Sequence, residues 1–260
     1  MTEVLDQLGR TVRCELPPGR IVSLVPSQTE LLFDIGLEDQ MVGVTRFCVH
    51  PPRARRRCAS VGGTKGVKID RVLALRPDLV VANREENLAS DVAALEQQVP
   101  VWVSDVRDLP SALAMIRGLG EITGRARESD AIAADIEGQF AGFRPDRQRS
   151  VCYLIWRDPY MAAGSDTFIH DLLTRVGWHN VLHDTPRYPT VTAESLREHR
   201  LDLLLAASEP FPFGPRHRAE LEALSPGAQV LFVDGELFSW YGSRLSRTLS
   251  YIHELQRGLS

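Results

Sequence analysis

Val67–Ala82 reads VKIDRVLALRPDLVVA, and Val191–Ala206 reads VTAESLREHRLDLLLA. The two stretches align without a gap. Val67 matches Val191, Arg76 matches Arg200, Asp78 matches Asp202, Leu79 matches Leu203 and Ala82 matches Ala206, while Asp70 meets an equivalent acid in Glu194. Each stretch starts as a short helical pattern, passes through a polar turn, and ends in an unbroken apolar run. Such a run, bounded by charged turn residues, reads as a strand buried on both faces, the kind found in parallel sheets. Its repetition predicts two related α/β lobes.

Working outward, the same alternation fills the chain. Ile21–Val25, Met41–Thr45, Asp78–Ala82 and Val101–Ser104 read as buried strands, with helices at Ser27–Gly36, Ile69–Leu75, Leu88–Gln98 and Leu109–Gly124. Ser27 and Glu30 have the S-x-x-E spacing of a capping box at the start of the first helix. From Arg125 to Phe143 no strand pattern occurs, and Ile132, Ile136 and Phe140 recur at helical spacing. A second strand set follows at Val151–Trp156, Asp202–Ala207 and Val230–Asp234, with helices at Thr167–Val176, Ala193–His199, Arg216–Leu224 and Ser243–Leu259. The expected architecture is α/β: two Rossmann-like lobes with parallel-rich sheets, residues 1–124 and 145–260, joined by a single long α-helix at 125–144.

Composition narrows the function classes. The 260 residues are 43% hydrophobic, enough for substantial cores. The net charge of −4, with both signs interspersed, gives no basic face for nucleic acid. The run Arg53–Arg57 follows two prolines and reads as a solvated loop. Cys14, Cys48, Cys58 and Cys152 show no metal or redox spacing. No apolar run is long enough to span a membrane. The first residues lack the apolar core of a signal peptide, and free thiols suit a reducing compartment, so a cytoplasmic location is one expectation.

In parallel-sheet lobes, ligand sites form from loops at the carboxyl ends of strands. Those loops supply Ser27 and Gln28; Phe47, Cys48 and His50; Asn83 and Arg84; Trp156 and Tyr160; and Phe238, Trp240 and Tyr241. Aromatic and polar groups are concentrated here, as a large amphipathic ligand requires. Cys48 and His50, two apart on an extended segment, share a face. Three roles fit the pair: pocket wall, structural thiol with loop histidine, or metal ligation. Metal ligation needs three or four convergent ligands, and His170, His179, His183, His199, His217 and His253 lie outside the corresponding loops of the first lobe. Gly62-Gly63-Thr64-Lys65 does not directly follow a strand, against a phosphate loop. No established nucleophile or nucleotide motif occurs in a supporting context, so no enzyme activity, catalytic residue, required cofactor or metal site is expected.

The segments RIVSLVPSQTELLFDIG, VGVTRFCVHPP, RVLALRPDLVVA, DTFIHDLLTRVGWHNVL and RYPTVTAESL occur in this order. The chain resembles, from about Arg20 to Leu255, the class III substrate-binding proteins of ABC importers, the group for cobalamin, haem and ferric siderophores. The resemblance implies capture of a metal-chelate ligand, a corrinoid, haem or ferric siderophore, between two lobes that move little because one helix joins them. Phe47 and His50 stand where the cobalamin-binding members place pocket tyrosines, and Thr64 where they place a tryptophan. Arg187 and Tyr188, in the RYPTVTAESL segment, join the expected lining. Asp70 and Glu194 match the two acids, one per lobe, that dock on an ABC permease. The resemblance places the protein in the periplasm. A cytoplasmic carrier or sensor of the same ligand, metal-ion binding, and a thiol enzyme built on Cys48 and His50 are the alternatives.

Overall fold

The computed structural model describes residues 2–145 and 147–259. The chain forms two compact units. The first comprises Met1–Val106, Pro110–Gly138 and Trp240–Ser246; the second comprises Arg107–Leu109, Gln139–Ser239 and Arg247–Ser260. Trp240–Ser246, assigned to the second lobe on sequence grounds, thus packs with the first unit.

The first unit opens with an antiparallel hairpin of β1 (Thr2–Leu5) and β2 (Thr11–Cys14). There follow β3 (Ile21–Ser23), α1 (Pro26–Asp34), β4 (Met41–Val44), α2 (Ala54–Arg57) and β5 (Ala59–Ser60). A small hairpin, β6 (Gly62–Gly63) with β7 (Gly66–Val67), leads into α3 (Ile69–Ala74), β8 (Leu79–Asn83), α4 (Ala89–Glu96) and β9 (Val101–Ser104). The sheet runs β5-β4-β3-β8-β9, parallel throughout. Val22, Leu24, Val80, Ala82, Val101 and Val103 share one core with Val72 of α3 and Leu95 of α4. Arg53–Arg57, read as a loop, contains the whole of the four-residue α2 with Arg53 at its N-cap: Ala54 is buried, and Arg53 and Arg57 pair with Glu38 at 2.8 and 3.2 Å.

Two helices carry the chain onward, α5 (Leu109–Thr123) and α6 (Ala126–Gly142). Gly124 ends α5 in the left-handed region, φ +70°. Its N–H donates to Glu121 O and that of Arg125 to Gly120 O, at 3.3 and 2.7 Å. This is a Schellman end, which glycine adopts without a Cβ clash.

The second unit contains β10 (Arg149–Trp156), β11 (Met161–Ala162), α7 (Phe168–Arg175), β12 (Trp178–Asn180), α8 (Ala193–Arg197), β13 (Leu203–Ala207), α9 (Arg218–Leu224), β14 (Gln229–Val233), α10 (Glu236–Ser239) and α11 (Leu245–Arg257). Its sheet runs β11-β10-β13-β14, with β12 also paired to β10 and only β11 antiparallel. Side chains alternate between two cores, as a strand's period of two dictates. Val151, Tyr153, Leu203 and Leu205 enter one; Cys152, Leu154, Leu204 and Ala206 enter the other. The unbroken apolar runs therefore reflect burial on both faces.

The sequence echo has a common physical basis. Asp78 N–H donates to Arg20 O at 2.8 Å, and its carboxylate accepts from Arg20 N–H at 2.9 Å. Asp202 N–H donates to Ser150 O at 2.9 Å, and its carboxylate accepts from Ser150 N–H at 2.7 Å. Each aspartate fixes its strand against the start of the neighbouring one, pairing Ile21 with Leu79 and Val151 with Leu203. The same register in both units makes them copies of one β–α–β design.

Ser27 and Glu30 form no capping box. Pro26 opens α1 with Val25 at its N-cap, which places Ser27 inside the first turn. A capping box does occur at Thr192 and Ser195 of α8.

Candidate functional site

The loop after β4 turns at Arg46 and Phe47, where Cys48 N–H donates to Thr45 O at 3.2 Å, and its side chains separate into exposed and buried. Phe47 points outward, 46% exposed, with the Arg46 guanidinium 4.8 Å from its ring centroid. Cys48, next in sequence, is fully buried, its Sγ 3.1 Å from Thr29 Oγ1 and 3.2 Å from Thr45 Oγ1. Burial raises its pKa above the ordinary thiol value, while hydrogen bonds from Thr29 and Thr45 pull the other way. Cys48 is thus a buried thiol with a weakened tendency to ionise, packed behind the loop surface between two threonines. His50 is half-buried, with its ring 5.5 Å from that of Trp240, edge to face.

Trp240–Ser246 lies against α1 of the same unit. Arg244 Nε and Nη2 donate to the two oxygens of Glu30, each at 2.8 Å, with both side chains 8% exposed. The guanidinium also sits 5.0 Å from the Trp240 ring centroid. Tyr241 Oη donates to Glu86 Oε1 at 2.8 Å, and Ser243 Oγ to Asp34 Oδ2 at 2.5 Å. Gly242 permits the close approach, since a Cβ there would meet Ser27 O at 2.8 Å. Trp240 and Tyr241, expected as open lining, are buried members of this seam. Arg244 and Glu86 were not singled out in sequence, because their partners lie far along the chain and a local pattern cannot show them.

Asn83 builds the loop after β8. Its Oδ1 accepts from the N–H groups of Glu85 and Glu86 at 2.8 and 3.0 Å, and its Nδ2 donates to Ser104 O at 3.2 Å. Asn87 N–H₂ reaches Thr64 O at 3.0 Å, tying the half-buried Thr64 to the same loop. Arg84 is exposed and paired with Asp105 at 2.8 Å. Gln28 is fully buried and its amide reaches Ser104 Oγ, leaving Oε1 without a partner. Ser27 Oγ is likewise buried and unpartnered. The bonds of Asn83 are those of a turn-forming side chain.

In the second unit Trp156 ends β10, 41% exposed, with its ring 6.0 Å from Phe211. Tyr160 is half-buried, and its hydroxyl is buried without a partner. Arg187 Nη1 donates to Asp166 O at 2.9 Å, and its guanidinium lies 5.5 Å from the Tyr188 ring centroid. Phe238 is fully buried in the core of the second unit, 5.1 Å from Tyr153 and 6.3 Å from Tyr251 between ring centroids. Among the described residues no three of His, Cys, Asp and Glu converge as a metal ion requires, and no helix is long and apolar enough to cross a membrane.

The profile of the family described as periplasmic binding protein matches residues 21–222. The chain belongs to that family. The chain is 26% identical over 204 residues to an uncharacterised ABC transporter substrate-binding lipoprotein of Bacillus subtilis, covering 74% of the chain and 64% of the lipoprotein. It is 25% identical over 197 residues to the vitamin B12-binding protein of Vibrio campbellii, covering 74% and 71%. Among solved structures, a periplasmic heme-binding protein from Pseudomonas aeruginosa superposes with a TM-score of 0.75 at 25% identity, over 89% of this chain and 90% of that one. The two-unit α/β fold is that of a binding-protein family.

Asp70 and Glu194 are both exposed, each in the first turn of its helix, α3 or α8. A carboxylate there is favoured by the helix dipole, which accounts for the position but not for the exposure of both.

Proposed function

We propose that the chain binds a metal-chelate ligand, a corrinoid, haem or ferric siderophore, and delivers it to an ABC-type importer on the outer side of the membrane. The placement of Phe47 and Trp156 carries this reading. Among the described residues they are the exposed members of the Phe, Tyr and Trp side chains, 46% and 41% accessible. Each stands at the carboxyl end of a parallel strand, Phe47 after β4 and Trp156 at the end of β10. Ligands of open α/β sheets bind at that edge, and a flat macrocycle offers apolar faces to such rings. His50, Thr64 and Arg84 are the further ligand-contacting candidates of the first unit, and Tyr160, Arg187 and Tyr188 those of the second; relatives named for vitamin B12 and heme support the ligand class. Binding without catalysis is supported by the buried, neutral Cys48, the one thiol beside the lining. Asp70 and Glu194 serve the permease contact.

The visible spectrum of the protein purified from its own host tests the ligand class. Corrin or Soret bands, or the charge-transfer band of a ferric siderophore, are expected. A colourless protein whose spectrum stays additive with cobalamin, haemin and ferric siderophores would end the proposal.

A further inference from the structure

We propose a second, independent site in the second unit: a two-histidine site on His179 and His183 for a late first-row divalent cation, Cu²⁺ before Ni²⁺ and Zn²⁺. A cavity of about 330 Å³ is lined by Gln148, His170, Trp178, His179, Asn180 and His183, with Thr174 and Gly177 at its side. It lies at the amino end of β10, where Trp178 pairs with Arg149, and so at the opposite end of that strand from Trp156. The rings of His179 and His183 are 4.9 Å apart, close enough for one nitrogen of each to reach a shared ion at about 2.0–2.1 Å.

Hydrogen bonds set the tautomers. His183 Nδ1 lies 3.2 Å from Asn180 O. A carbonyl only accepts, so Nδ1 carries the proton and Nε2 keeps its lone pair. A ring N–H on a backbone carbonyl is the usual support of a metal-ligating histidine. His170 has the opposite arrangement. Asn180 Oδ1 accepts from Leu182 N–H at 3.1 Å, which fixes the amide so that its Nδ2 donates to His170 Nδ1 at 3.3 Å. His170 Nε2 therefore carries the proton and donates rather than ligates. This agrees with the lack of any three-ligand group among the described residues. Water fills the remaining positions, which suits the tetragonal geometry and high nitrogen affinity of Cu²⁺.

Calorimetric titration of tag-free protein with CuCl₂, with electron paramagnetic resonance of the product, tests the site. One equivalent should bind, with hyperfine structure from two nitrogens. His179→Ala and His183→Ala should each weaken binding about 10-fold or more, whereas His170→Ala should leave it unchanged. Thermal melting of the metal-free variants checks that they fold. No binding of Cu²⁺, binding untouched by either ligand variant, or a loss in His170→Ala equal to theirs would each overturn the proposal.

Discussion

Arg244 and Glu30 form a bidentate ion pair across 214 positions of sequence, buried on both sides and capped by the Trp240 ring. The pair holds a late segment of the chain in the first unit. It also explains why Glu30, spaced for a capping box, does not cap: its carboxylate has a full guanidinium partner, and Pro26 has already started the helix.

Removing one member leaves the other charge buried alone. Arg244→Ala should cost about 3–5 kcal/mol in urea unfolding, and Glu30→Ala a similar amount. The double variant should cost less than the sum of the two. Additive losses would show that the two side chains are not coupled.

Asp78 and Asp202 should behave as equivalents. Each single alanine variant removes carboxylate bonds to the strand-starting amides, and each should lose about 1–2 kcal/mol. A loss confined to one of them, again by urea unfolding, would mean that the repeated motif has no repeated mechanical role.

Burial pushes the Cys152 thiol from 9.0 to about 12. Below the ordinary value, folded and unfolded chains both hold the proton, and the contribution to stability is complete. As pH rises past 9.0 the unfolded chain ionises first, so stability falls until the folded thiol titrates near 12. Cys152→Ala should therefore lessen the drop in unfolding free energy between about pH 8 and about pH 10 by about 1 kcal/mol. An unchanged drop would show that this thiol does not contribute.

Asp70 and Glu194 are exposed carboxylates with no fold-building bond evident around them. Two weak contacts to one partner reinforce each other through effective concentration. Asp70→Lys combined with Glu194→Lys should abolish binding to the cognate permease in a pull-down at low salt, with ligand affinity unchanged. Wild-type permease binding by the double variant would remove both acids from the docking surface.

What sequence revealed, and what it could not, follows from range. The buried strands were legible because successive residues such as Leu204 and Leu205 enter opposite cores and both must be apolar, and composition records that directly. The aspartate clamps were legible as an echo because the unit occurs twice. The site was less so. Phe47, Cys48 and Phe238 follow strands in stretches that look alike in sequence, yet Phe238 lies in α10, and one of the three is exposed and two are buried. That sorting depends on Thr29 and Thr45 around Cys48, and on Tyr153 and Tyr251 around Phe238, contacts that no local spacing encodes. Arg244 was invisible for the same reason, since its role exists only once α1 is beneath it.

Ligand affinity measured on the two exposed rings bears most directly on function. Wild-type protein, Phe47→Ala and Trp156→Ala would be titrated with cyanocobalamin, haemin and a ferric siderophore, following absorbance and heat. One of the three should bind the wild type stoichiometrically, and each alanine should weaken it by about 1–3 kcal/mol without lowering the melting temperature. Failure of all three to bind, or wild-type affinity in both variants, would contradict capture of a metal chelate by these rings.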